Sequence, residues 1–268
     1  MRSVLYTVPL GFLFIVNVLF LNAQQNKFAL PKTIDDIHTL YSYQKSNWDG
    51  SNASHVFLYI KDTNKLASFK WSEGDKWSSL VTADFSWKEF MVDKIQNHRI
   101  DAQGNKTLVA ELNQESTKKI HFQIGEFQDS MILVDPFWHS YDFDFASIGF
   151  AWRALKEKRN SFSFHIADAA LINNKPGFAN KGSVQVEFLN EEMINGIQFL
   201  KYKIDGPGLQ NKGGFIWVDP RKNYMIELFR IEHPDEEGFE NGQLKLLKTE
   251  YLSPAEWEKF IIAKMNGN

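Results

Sequence analysis

The chain has 268 residues, of which 43% are hydrophobic, 24% charged and 15% aromatic, and it contains no cysteine. That is enough apolar material for a packed core, which excludes a disordered or collagen-like chain, and the missing thiols exclude a disulfide scaffold, a cysteine-ligated metal centre and a cysteine nucleophile. With 30 Lys and Arg against 33 Asp and Glu the net charge is -3, so there is no basic footprint for nucleic acid.

The first 23 residues read as a secretory signal peptide. Arg2 is their only charge, an apolar run follows from Val8 to Leu21, and Leu21-Asn22-Ala23 offers a small residue at a cleavage site. The run is short for a membrane span, which needs roughly 20 apolar residues. Residues 24–268 are expected to form one domain, exported to the periplasm or the extracellular space. With no cysteine to acylate, the product is not expected to be a lipoprotein, nor to keep a transmembrane anchor after cleavage.

Ile34, Ile37, Leu40, Tyr41 and Gln44 recur at helical spacing behind Thr33, Asp35 and Asp36, which predicts a helix ending near Ser46. The period then changes to two. Strands are predicted over 55–60, 65–71, 77–84, 90–101, 107–113, 118–124 and 130–134, separated by polar turn-formers such as Lys61-Asp62-Thr63-Asn64. Connections this short make an antiparallel meander, because parallel strands need long crossovers. A second helix is predicted from Phe143 to Lys156, with Phe145, Ile148, Trp152 and Leu155 on one stripe. Strands resume over 162–166, 182–189, 198–204, 215–218, 224–232 and 244–252, with Asn195-Gly196 as a hairpin turn. Ser253-Pro254-Ala255-Glu256 then has the form of a capping box with proline at the first helical position, so a C-terminal helix begins there.

Few residues are grouped as chemistry would require. Asp135, His139, Asp142 and Asp144 stand close in sequence and can be read as metal ligands, as an acid/base pair, or as a solvated turn plugged by Phe137, Trp138 and Tyr141. Gly206-Pro207-Gly208 through Gly213-Gly214 is rich in glycine but runs into the strand at Phe215. It therefore reads as a turn with several positive φ values rather than as a phosphate cradle, which would open a helix. No metal-ligand or cofactor motif is present. The 39 aromatic residues include four in the signal segment (Tyr6, Phe12, Phe14, Phe20), which leaves 35 spread over the rest of the chain. They read either as ordinary sheet core or as the lining of a concave apolar slot.

One stretch runs from Val134-Asp135-Pro136 through the Phe145–Leu155 helix. With Lys201-Tyr202-Lys203 and Gly213-Gly214-Phe215-Ile216-Trp217-Val218-Asp219, it resembles the LolA/LolB-like half-barrel periplasmic carriers and related exported families. The resemblance spans residues 33–262 at the level of element order. It implies an unclosed barrel holding acyl chains under helical lids, with no catalytic residue to carry over.

The expected fold is therefore α+β. A strongly curved antiparallel half-barrel carries a mid-chain helix on its concave face and is flanked by N- and C-terminal helices. The expected function is non-catalytic binding of a lipid, acyl chain or other apolar small molecule, lined by Trp138, Phe145, Ile148, Trp152, Phe215 and Trp217. One alternative is an envelope glycan hydrolase or lyase using His139 with Asp142 or Asp144. Another is a structural envelope component.

Overall fold

A computed structural model of the chain describes residues 27–31, 34–74, 76–86, 91–116, 119–132, 138–139, 148–172, 175–232 and 238–267. The expected signal peptide, Phe145, Asp142 and Asp144 lie outside these residues.

Fifteen strands form one sheet. In chain order they are β1 (Thr39–Ser46), β2 (Ser54–Asp62), β3 (Lys65–Trp71), β4 (Trp77–Ser86), β5 (Met91–Asp101), β6 (Lys106–Ser116), β7 (Lys119–Ile124), β8 (Phe127–Ile132), β9 (Trp138–His139), β10 (Phe162–Ile172), β11 (Lys175–Ile194), β12 (Ile197–Asp205), β13 (Gly214–Asp219), β14 (Met225–Ile231) and β15 (Gly242–Tyr251). The spatial order is β8-β7-β6-β5-β4-β3-β2-β1-β15-β14-β13-β12-β11-β10-β9. Two meanders are thus joined where β1 pairs with β15, and every pairing is antiparallel except that of β9 with β10. The sheet ends at β8 on one side and β9 on the other.

The sheet curves until its two ends meet. Phe122 of β7 and Phe178 of β11 pack edge to face with ring centroids 5.2 Å apart, although their strands lie near opposite ends of the spatial order. Trp138 of β9 donates its indole Nε1–H to Gln114 Oε1 of β6 at 2.7 Å. Such contacts require the face bearing these side chains to be concave.

Period-two alternation sorts the core onto the two faces. Val56, Leu58 and Ile60 of β2 point to the concave core, as do Val81, Ala83 and Phe85 of β4. Phe57 and Tyr59 of β2, with Ala67 and Phe69 of β3, point to the other face. There they are covered by helix α2 (Pro254–Met265), which buries Trp257, Ile261 and Met265. The capping box forms as expected, and Trp257 stacks on Tyr59 with centroids 4.8 Å apart.

The N-terminal helix expected over 33–46 is not formed, since residues 39–46 are strand β1. β1 lies between β2 and β15 and is buried on both faces, with Leu40 toward α2 and Tyr41 and Tyr43 toward the concave core. A strand covered on both faces loses its polar-apolar alternation, and its compact apolar run imitates a helical stripe.

The mid-chain helix lies on the concave face as expected, but ends sooner. A 3-10 turn (Ile148–Phe150) leads into α1 (Ala151–Ala154), and Leu155 is already extended. Leu155 bridges Phe28, while the Ala29 N–H donates to Ala154 O at 2.9 Å and the Lys156 N–H to Lys27 O at 2.8 Å. Backbone pairing with the N-terminal segment therefore outcompetes another helical turn.

The glycine-rich element forms the expected turn. Gly206, Gln210 and Asn211 have φ values of 141°, 55° and 56°. Gly213 serves a different need: a Cβ there would fall on the Ile204 carbonyl oxygen of β12.

Candidate functional site

The concave face is a continuous apolar surface plugged by α1. Ile148, Phe150, Ala151, Trp152, Ala154 and Leu155 all belong to its core. Phe150 meets Phe85 of β4 at 5.3 Å between centroids, while Trp152 meets Phe162 of β10 at 5.8 Å and Tyr202 of β12 at 5.5 Å. The plug thus touches both meanders. Gly149 lies beside Met225 and Leu58, at distances where an added Cβ would make ordinary van der Waals contact with both side chains.

The plug is tied down by polar groups that composition alone does not reveal. Arg153 is buried and makes a bidentate pair with buried Asp36. The Tyr41 hydroxyl donates to Asp36 Oδ2 at 2.7 Å. Burial, and then the Asp36 charge, push the Tyr41 phenol well above its ordinary range. The Arg153 guanidinium also lies 4.5 Å from the Phe150 ring centroid, a cation–π distance.

Half-buried Lys158 closes the C-terminal end of α1. Its Nζ donates to the carbonyls of Trp152, Arg153 and Leu155 at 2.8, 3.1 and 2.7 Å, satisfying groups that a helix end leaves orphaned. Its ammonium lies 4.5 Å from the Tyr224 ring centroid, and the Tyr202 hydroxyl donates to the Lys158 carbonyl. Burial, helped by the nearby Arg153 charge, lowers its pKa to about 8.

The residues expected to line one slot do not share a face. Trp138, Ile148 and Trp152 all belong to the concave core. Phe215 and Trp217 lie on β13, where the alternate residues Ile216 and Val218 are the ones that enter that core. The sheet therefore stands between the two groups. On the outer face Phe215 and Trp217 flank the Lys201 ammonium, 5.0 and 4.9 Å from their ring centroids, and Lys201 is ion-paired with Glu192 at 2.8 Å.

His139 is 1% exposed on β9, its ring edge-on to Phe164 at 4.8 Å. Burial lowers its pKa to about 3, so it is neutral at physiological pH. An imidazole shut away from solvent offers a sugar ring no contact in this conformation. Among the described residues no three His, Asp or Glu are grouped as metal ligands, and no helix is long and apolar enough to cross a membrane.

Asp36, Arg153, Lys158 and Gln114 do not stand out as site residues in the sequence. Each is an isolated polar residue whose partner is set by the fold. The one local signal is Arg153 beside the apolar stripe of the mid-chain helix, where an unpaired charge could not be buried.

No protein-family model matches the chain, and no curated protein matches it. Among solved structures, a DUF1089 family protein from Pseudomonas aeruginosa superposes with a TM-score of 0.39 at 10% identity, covering 65% of this chain and 87% of that one. A domain described as a putative outer membrane lipoprotein-sorting protein from Vibrio parahaemolyticus gives a TM-score of 0.23 at 8% identity, covering 91% and 97%.

Proposed function

We propose that this chain is an exported, non-catalytic binding protein for a lipid, acyl chain or other apolar ligand of the cell envelope. The observation that carries the reading is the seam between the two ends of the sheet. There the gap is bridged by side chains, through the Phe122–Phe178 contact and the Trp138–Gln114 hydrogen bond, and the edge strands β8 and β9 are not laddered to each other.

A seam of that kind parts without breaking a β-ladder. An alkyl chain entering between Phe122 and Phe178 covers both rings again, at similar free energy per unit of apolar area. Behind the seam lies the apolar concave face that such a chain needs, with α1 now filling it. Binding therefore means that the seam opens and the chain threads alongside or in place of the plug.

Native mass spectrometry of protein purified from its own host, followed by uptake of a fluorescent fatty acid by delipidated protein, tests this. Bound lipid, or saturable uptake, is the expected result. Consistently ligand-free protein that takes up no lipid would overturn the reading.

A further inference from the structure

The plug holds a buried donor that no described residue answers. Trp152 is fully buried, and among the described residues its Nε1–H has no hydrogen-bond acceptor, although a buried indole N–H ordinarily finds one. The adjacent Arg153 is satisfied at both Nη atoms by Asp36, yet among the described residues its buried Nε also has no acceptor.

The charges around it are unbalanced in the same sense. Asp36 answers Arg153. Lys158 donates to three carbonyls and lies over the Tyr224 ring, and although the Glu157 charge acts on it, among the described residues no carboxylate is ion-paired with it. Lys158 and the Trp152 indole belong to one cluster, because Tyr202 packs against the indole and hydrogen-bonds the Lys158 carbonyl. Buried donors left over on Trp152 and Arg153, beside a half-buried ammonium, call for an acceptor that carries negative charge.

We propose that the ligand of this interior is an anionic amphiphile, a long-chain carboxylate, whose head group accepts the Trp152 Nε1–H in the field of Lys158 and Arg153 while its chain lies along the concave face. The proposal rests on the carrier reading and narrows it from any apolar ligand to one with an anionic end. Lys158 acts through its charge, since carbonyls already take its protons. A neutral alcohol would satisfy the indole but not the charge, and a quaternary ammonium would satisfy neither.

Isothermal titration calorimetry of delipidated full-length protein with dodecanoate, dodecanol and dodecyltrimethylammonium, each below its micelle concentration, separates these cases. Dodecanoate is expected to bind at least about tenfold tighter than dodecanol, the difference a charge-assisted hydrogen bond makes, and the cation to bind weakest. Trp152→Phe, which keeps an aromatic ring and removes the N–H, is expected to weaken dodecanoate by more than it weakens dodecanol, so that the gap between them narrows. If that variant does not fold, as judged by circular dichroism, the wild-type ranking decides alone. Equal binding of all three overturns the anionic assignment and leaves the carrier reading standing. An undiminished dodecanoate preference in a folded Trp152→Phe protein also overturns the assignment, and no binding of any probe overturns both.

Discussion

Arg153 reaches Asp36 across 117 residues of chain and holds both carboxylate oxygens, Nη1 to Oδ1 at 2.9 Å and Nη2 to Oδ2 at 2.7 Å. The pair joins the helix on the concave face to the segment that leads into the central strand β1. Both side chains are nearly excluded from solvent, at 5% and 7% exposed. Removing one partner strands a buried charge. Arg153→Met or Asp36→Asn should each cost about 3–5 kcal/mol in urea denaturation. The double variant should cost less than the sum, because it strands neither charge. Additive losses would show that the pair does not act as a unit.

The seam makes a local prediction. Gln114→Leu removes the acceptor of the Trp138 indole and leaves a buried N–H unanswered, at a cost of about 1–3 kcal/mol. Because Trp138 lies on a two-residue edge strand, that loss should fall on seam opening more than on global unfolding. Hydrogen exchange should quicken at β9 and β6 while β1, β2 and β15 keep their protection, and uptake of a fluorescent fatty acid should become faster. Unchanged exchange at β9 would count against the seam as the opening element.

Burial of His139 sets a pH dependence whose sign follows from linkage. Its folded pKa of about 3 lies below the ordinary 6.5, so the unfolded chain binds the proton first as pH falls. Stability from this group is complete above about pH 6.5 and is lost progressively toward pH 3, with a slope of up to ~1.4 kcal/mol per pH unit. His55 and His98 are lowered in the same direction, mainly by burial, and add to the slope. Guanidinium melts at pH 7.5, 6.0 and 5.0 should show the fall, and His139→Gln should flatten it by close to one proton. A variant with the wild-type slope would mean that His139 does not titrate on unfolding.

Much of the sheet is readable from local pattern. The strand predicted over 65–71 is β3 at those bounds, and Asn195-Gly196 forms its tight turn with φ values of 52° and 77°. Local pattern fails where burial removes it. β1 is covered on both faces and imitates a helix, and in Phe215-Ile216-Trp217-Val218 four apolar residues in a row do not tell which two face inward. The plug's anchors are illegible for another reason. Arg153 with Asp36, and Trp138 with Gln114, are pairings that only the curvature of the sheet creates.

The outer-face helix gives the last prediction. α2 is held by its capping box, in which Ser253 Oγ accepts from the Glu256 N–H and Glu256 Oε2 accepts from the Ser253 N–H, and by Trp257 stacked on Tyr59 and edge-on to Phe69. The two devices should fail differently. Ser253→Ala removes one cap and should cost about 1 kcal/mol, read as faster exchange in the first turn of α2 and a small drop in Tm. Trp257→Ala empties a buried site and should cost about 3–5 kcal/mol. It also uncovers Phe57, Tyr59 and Phe69, an apolar patch on a sheet face. That variant should bind 1-anilinonaphthalene-8-sulfonate and self-associate in sedimentation, whereas Ser253→Ala stays monodisperse. A monodisperse Trp257→Ala protein that binds no dye would mean that α2 still covers that face without its tryptophan.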